Sequence, residues 1–181
     1  MSTHTIRTLR PDDTGPLLAF EQANRAWFER HIDRRPDAFY SIDGIQAHVA
    51  QFLDEHAQGR MHPCVIVDEH GKLIGRANLK DIDRQQGVAE VGYRIGEQQA
   101  GKGLATAALH HLISLAQGEW RLASLCAYAI DGNAASIRVL ERCGFVQGIA
   151  VPDIAIVAGN VVDGHAYALD LRAAGVDSIL L

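Results

Sequence analysis

The sequence predicts one α/β domain of the α+β kind, with a mixed, mostly antiparallel sheet flanked by helices. Three observations carry that expectation. The chain has 181 residues, of which 48% are hydrophobic and 22% charged, enough for a single domain with a real core. Strand-like and helix-like stretches follow in the order strand, two helices, three strands, helix, strand, helix, two strands. Only the last two helices in that order cross between strands, so most strand pairs must be antiparallel. Between Ala89 and Leu115, finally, a strand runs through a glycine-rich turn straight into a helix.

Each element has its own signal. Thr5 to Leu9 reads as a short strand, and Pro11-Asp12-Asp13 offers turn and cap residues before a helix through Leu17, Leu18, Phe20, Trp27 and Phe28. Arg34-Arg35-Pro36-Asp37 breaks that helix. Ser41 caps a second one, with Ile45, Val49, Phe52 and Leu53 on its apolar face. Cys64 to Val67 and Leu73 to Leu79, joined by Asp68-Glu69-His70-Gly71-Lys72, read as a hairpin. Ala89 to Ile95 is the central strand. Its helix begins at Leu104, with Leu104, Ala107, Ala108, His111, Leu112 and Leu115 as a buried stripe. Leu122 to Ile130 is an apolar strand, and Asn133 to Cys143 is a helix stopped by Gly144. Phe145 to Val151 and His165 to Leu171 form a last antiparallel pair across a glycine-containing loop. No repeat, low-complexity segment or domain boundary interrupts residues 1–181, which are expected to be a single domain.

Composition removes several classes. A formal net charge of -5 argues against direct binding to nucleic acid. No apolar run approaches the roughly 20 residues that span a bilayer, so no membrane partner is expected. Met1-Ser2-Thr3-His4-Thr5 lacks the basic and apolar regions of a secretory signal. Cys64, Cys126 and Cys143 are odd in number and show no C-x-x-C spacing, as expected of reduced thiols in a cytoplasm. Nine histidines are scattered without ligand spacing, so no metal is expected.

The chemistry concentrates in the turn after the central strand. A glycine-rich turn at a helix start is an anion site, because the first-turn N–H groups lack intrahelical partners and the helix dipole places positive charge there. Gly96-x-x-x-x-Gly101-Lys102 falls one residue short of a Walker A loop. Gly103 also stands where that loop needs a hydroxyl to hold Mg²⁺. The strand from Ala127 to Ile130 with Asp131 resembles the metal-binding strand of such a protein, but Asp131-Gly132-Asn133 reads better as a turn and a helix cap. The other pattern, Gln98-x-x-Gly101-x-Gly103-x-Ala105, needs no metal and suits a pyrophosphate held by backbone amides. A plain tight turn is the bland alternative for the two glycines.

That turn does not stand alone. The strand Ala89-Glu90-Val91-Gly92-Tyr93-Arg94-Ile95 precedes it, and Asn133-Ala134-Ala135-Ser136-Ile137-Arg138-Val139-Leu140-Glu141-Arg142-Cys143-Gly144-Phe145 follows later. Together, and with the opening Ile6-Arg7-x-Leu9-Arg10-Pro11-x-Asp13, they resemble the GCN5-related N-acetyltransferases. Within that family the chain is most similar to the RimJ/RimL group, which acetylates the N-termini of ribosomal proteins.

The resemblance implies a sheet splayed open beside the central strand, with acetyl-CoA as co-substrate in the opening. The cofactor would contact Tyr93, Arg94, Ile95, Gln98, Gly101, Lys102, Gly103, Leu104, Ala105, Asn133 and Ser136. Its pantetheine arm would add to the strand edge, where backbone amides can pair with it. Lys102 is either a phosphate contact or a solvated lysine, and Asn133 both caps its helix and reaches the cofactor. Glu90 is the base candidate, against an ordinary exposed strand glutamate, and Ile95 N–H is the oxyanion donor. Many relatives carry a tyrosine acid where Leu140 stands. The resemblance moves that role to Ser136, against a serine serving only the helix start. Asn24, Trp27, Tyr40 and Asp153 are expected near the acceptor, although the aromatic residues of that helix also suit a core. The implied activity is acetyl transfer to a primary amine, most naturally a peptide α-amine. The alternatives are a small amine (an amino acid, a polyamine or an antibiotic) and an acyl-CoA sensor without turnover. A homodimer is left open.

Overall fold

Alternation along the strands and apolar stripes on the helices resolve into one seven-stranded sheet with a hydrophobic cluster on each face. The computed structural model describes residues 4–172; the remainder of the expected 1–181 domain lies outside the described residues. In chain order the elements are β1 (His4–Thr8), α1 (Thr14–Ala23), α2 (Arg25–Phe28), α3 (Ile42–Ala57), β2 (His62–Asp68), β3 (Leu73–Asp83), β4 (Val88–Ile95), α4 (Leu104–Gly118), β5 (Ser124–Ile130), α5 (Ala134–Arg142), β6 (Val146–Val157) and β7 (Asn160–Asp170). The strand order is β1-β2-β3-β4-β5-β7-β6. Every neighbouring pair is antiparallel except β4 and β5.

Period-two alternation divides the core. Cys64 and Ile66 of β2 join Ala77, Leu79, Ala89, Val91 and the buried face of α4 on one side of the sheet. Val65 and Leu73 join Leu17, Phe20, Phe28, Ile45 and Val49 on the other. The β4–β5 pairing is what shapes the molecule. It consists of only Val88↔Ser124, Ala89↔Leu125 and Glu90↔Cys126. Past Glu90 the two strands no longer pair, so the sheet opens at its middle.

Three expectations need correction. The first helix does not run through to Phe28. It ends at Ala23, and a separate four-residue helix follows. Asn24 breaks it, with its Nδ2 donating to Phe20 O at 2.9 Å and its Oδ1 accepting from Glu97 N at 2.8 Å. The stripe on α4 is also rotated. Leu109 and Ala116 are buried with Leu104, Ala108 and Leu112, while Ala107, His111 and Leu115 are half-buried. Last, no long loop follows Val151. β6 continues to Val157 with register shifts at Gln147/Ala150 and Val151/Ala155, so Asp153 lies in a bulged edge strand.

Candidate active site

The opening beside β4 leaves backbone groups unpaired in a predictable direction. Gly96 N–H donates to Ile74 O on the β3 side. Peptide groups alternate in direction along a strand, so those of Val91, Tyr93 and Ile95 face the opening. Ile95 O is already engaged, accepting from Trp27 Nε1 at 3.2 Å. The groups left for an extended ligand are Ile95 N–H, those of Tyr93 and the Val91 carbonyl, the Val91 N–H being engaged by the Glu90–Cys126 pairing. Such an edge suits the amides of a linear chain laid alongside it.

The glycine turn is built for an anion. Gly101 and Gly103 have φ of 74° and 80°, a conformation open to glycine and costly for residues with a Cβ. A Cβ at either position would meet no heavy atom within 4 Å, so the space above the turn is empty. Gly103 is the N-cap of the 15-residue α4 and supplies no capping side chain. The first-turn N–H groups of Leu104, Ala105 and Thr106 therefore point into that space without an intrahelical partner. A cleft of about 430 Å³ runs from this turn along Tyr93, Arg94 and Ile95 to Asn133, Ser136, Arg138 and Arg142 of the α5 region. Those residues and that turn fit a pyrophosphate with a long, partly apolar tail.

Tyr93 and Ser136 close the inner end of this cleft. Tyr93 Oη lies 3.1 Å from Ser136 Oγ. Asn133 Oδ1 caps α5 by accepting from Ser136 N at 3.1 Å. Capping is therefore the work of Asn133, and the Ser136 hydroxyl is left for Tyr93 and the cleft. Burial pushes the Tyr93 hydroxyl above the ordinary tyrosine value, with the Ser136 hydrogen bond acting in the opposite sense.

A second cleft, of about 370 Å³, lies on the other face of β4. It shares Tyr93, Arg94, Asn133 and Ser136 with the first, so the two meet at the splay. Glu90 lines it as part of an ion pair with Lys80 of β3, the glutamate side chain being 23% exposed. Glu90 is thus half-buried and partnered rather than an open surface charge. Arg76 and Arg94 both pair with the fully buried Glu21, at 2.7 and 3.4 Å. His48 Nε2 lies 3.0 Å from Arg76 Nη2. Burial, then Arg76, Arg35 and Arg94, pushes the His48 pKa down to about 3, so its Nε2 accepts this bond as a neutral imidazole.

The structure brings most of the expected residues together. Tyr93, Arg94, Ile95, Gly101, Gly103, Leu104, Ala105, Asn133 and Ser136 all line the first cleft, and Glu90 lines the second. Five residues fall outside both. Gln98 and Lys102 are exposed, with Lys102 Nζ donating to Gln99 Oε1 at 3.2 Å. Asn24 braces the turn, and Tyr40 stacks under Arg25 at 4.3 Å. Asp153 is exposed, its N–H donating to Asp163 Oδ1, while its neighbours Ile154 and Ala155 line the second cleft. Trp27 lines the first cleft, not the second. Sequence reasoning missed Thr106, Arg138 and Arg142. For Thr106, the third residue of α4, the signal was its place among the first-turn amides. For the two arginines it was their i, i+4 spacing on the helix that begins at Asn133. Among the described residues, no group of three or more His, Cys, Asp or Glu is placed to hold a metal ion.

Residues 4–146 match the model of the family described as acetyltransferase (GNAT) domain. The uncharacterized N-acetyltransferase p20 of Bacillus licheniformis is 30% identical over 168 residues, covering 91% of each chain. Among solved structures, the ribosomal-protein-S5-alanine acetyltransferase of Vibrio fischeri superposes with a TM-score of 0.89 at 22% identity, covering 94% of each chain. RimL, a ribosomal L7/L12 α-N-protein acetyltransferase solved in complex with coenzyme A, superposes at 0.88 with 20% identity, covering 96% of this chain and 97% of that one. Structural likeness at such identities carries the fold and not the acceptor.

Proposed function

Because the chain belongs to the GNAT family and is an N-acetyltransferase, we propose that it moves the acetyl group of acetyl-CoA onto the N-terminal α-amine of a protein or peptide. One observation carries this reading: the two clefts meet at Tyr93 and Ser136, one shaped for a phosphate-bearing chain and the other holding Glu90. The pyrophosphate takes the amides at the start of α4, and Arg138 and Arg142 add charge beside it. In the transfer the amine nitrogen bonds to the thioester carbonyl carbon, the C–S bond breaks, and the amine gives up a proton while the thiolate gains one. Ile95 N–H meets the oxyanion. The Ser136 hydroxyl, backed by Tyr93, supplies the proton to sulfur, and Glu90 receives the one from the amine.

The kind of amine follows from the bases at hand. Glu90 is tied to Lys80, and Asp33, the other carboxylate lining the acceptor cleft, accepts from Ile156 N. A peptide α-amine has a reference pKa of about 7.7–8.0 and lysine about 10.4, so neutralising lysine at pH 7 costs roughly 3–4 kcal/mol more. A site without a strong free base is matched to the α-amine. This reading places the enzyme in a reducing cytoplasm, in keeping with three free cysteines.

The test is the pH profile of wild type and Glu90→Gln on one Ser-initiated peptide. Glu90→Gln should lower kcat/KM about tenfold to a hundredfold at pH 7, with the loss shrinking above pH 8 as the amine deprotonates unaided. Equal rates at every pH leave Glu90 as half of an ion pair. A larger loss persisting well above pH 8 points to a lysine or polyamine. If no such peptide is acetylated, the α-amine reading is wrong.

A further inference from the structure

The acceptor cleft carries more positive charge than the fold around it neutralises. Arg76 and Arg94 are cross-strand partners on β3 and β4, and both lean on the single carboxylate of Glu21. Arg35, from the segment after α2, joins them in the cleft wall. Its guanidinium lies over Phe39 at 4.1 Å and, among the described residues, has no ion-pair partner. His48 adds no counter-charge. Lys80 and Glu90 cancel each other. Setting the exposed Asp33 against the remainder still leaves one guanidinium over. Burial and Arg76 lower the Arg35 pKa, and burial, Arg76 and Arg35 bring Arg94 to about 9; a guanidinium is a strong enough base to keep its charge in a protein. Like charges held together in a half-buried cleft cost free energy that an incoming anion relieves.

We infer that Arg35, Arg76 and Arg94 form a subsite for a carboxylate of the acceptor, carried on the residue that follows the reacting N-terminus. This rests on the reading of the site as an α-amine acetyltransferase. Guanidiniums match a carboxylate in a fork of parallel hydrogen bonds. The spacing fits. The clefts meet at Tyr93, and Arg94 is the next residue of the same strand, about 3 Å further on with its side chain on the acceptor face. A peptide's second side chain spans that offset. The same charge repels a polyamine.

The experiment compares matched peptides beginning Ser-Asp, Ser-Asn and Ser-Lys, alongside free aspartate, asparagine and spermidine, with wild type, Arg35→Gln and Arg35→Lys. Arg35 is chosen because Arg76 and Arg94 also neutralise Glu21, whereas Arg35 makes no ion pair that the fold needs. Wild type should prefer Ser-Asp to Ser-Asn by about tenfold or more in kcat/KM, chiefly through KM, as expected for losing a charged hydrogen bond. Arg35→Gln should shrink the ratio to about threefold or less, and Arg35→Lys should restore part of it. If Ser-Asp and Ser-Asn react equally with wild type, or the ratio survives Arg35→Gln, the subsite is overturned while the α-amine reading stands. If aspartate reacts, asparagine does not, and no peptide is acetylated, the peptide reading falls and the placement of the carboxylate on a following residue is overturned with it. Spermidine or Ser-Lys as the best acceptor overturns the subsite.

Discussion

Leu140 donates no proton, yet a phenol stands where the two clefts meet. It comes from β4 as Tyr93 and is hydrogen-bonded to the Ser136 hydroxyl. If the two act as one relay, Ser136→Ala and Tyr93→Phe should each lower kcat with little change in acetyl-CoA affinity, since the interaction matters mainly in the transition state. The double variant should lose less than the product of the single losses. Single-turnover rates and calorimetric affinities on the four proteins check this. An unchanged kcat for Ser136→Ala, with chemistry rate-limiting, would remove that hydroxyl from the reaction. The sequence shows Ser136 through its Asn-x-x-Ser spacing, because Asn133 and Ser136 share one helical turn. It does not show the Tyr93 contact, which joins residues 43 apart through the packing of α5 on the sheet. That Asn24 and Tyr40 line neither cleft is hidden from the sequence for a related reason. Polar and aromatic residues near a cleft satisfy the same pattern whether they face a ligand or brace a neighbouring turn.

Among the elements, the start of α4 is the one most fully legible, because its signal is covalent: two glycines where φ must be positive. Gly103→Glu should combine a strained backbone with a negative charge over the first-turn amides. The dissociation constant for CoA is expected to rise at least tenfold, since loss of helix-terminus interactions and charge repulsion each contribute on the order of 1 kcal/mol. Calorimetry in EDTA is the measurement, and binding that disappears with EDTA and returns with Mg²⁺ would revive a metal-dependent phosphate loop. The phase of the α4 stripe was less legible. Ala107 and Ala108 are equally apolar, and only the angle at which the helix crosses the sheet decides which is buried. β6 was cut short because Pro152-Asp153 is turn-forming in isolation. β6 is the sheet's edge strand, where a proline removes no needed ladder bond and a bulge is tolerated.

At the scale of the whole molecule, the N-terminal helices and the sheet are joined by charge as well as by apolar packing. Glu21 of α1 and His48 of α3 both meet Arg76 of β3. His48 is neutral in the folded protein down to about pH 3, against an ordinary value of 6.5. Above pH 6.5 neither state binds the proton and the contribution is fully present. As pH falls below that, the unfolded chain takes up a proton that the folded one refuses, and stability drops by up to about 1.4 kcal/mol per pH unit. Urea unfolding from about pH 6 to about pH 5 should show this slope, and His48→Gln, which still accepts from Arg76, should flatten it. None of this charge network is visible in the sequence, since it depends on three elements converging. The splay was implied only by resemblance to a family and not by any local pattern. It has a consequence for the protein before any ligand arrives. A sheet normally ends in two unsaturated edges, whereas one that opens at its midline past Glu90 and Cys126 has two more inside it. Exposed edges recruit strands from other molecules. These interior ones lie in clefts lined by residues of α2 and α5, and what such an edge can pair with is a single extended chain.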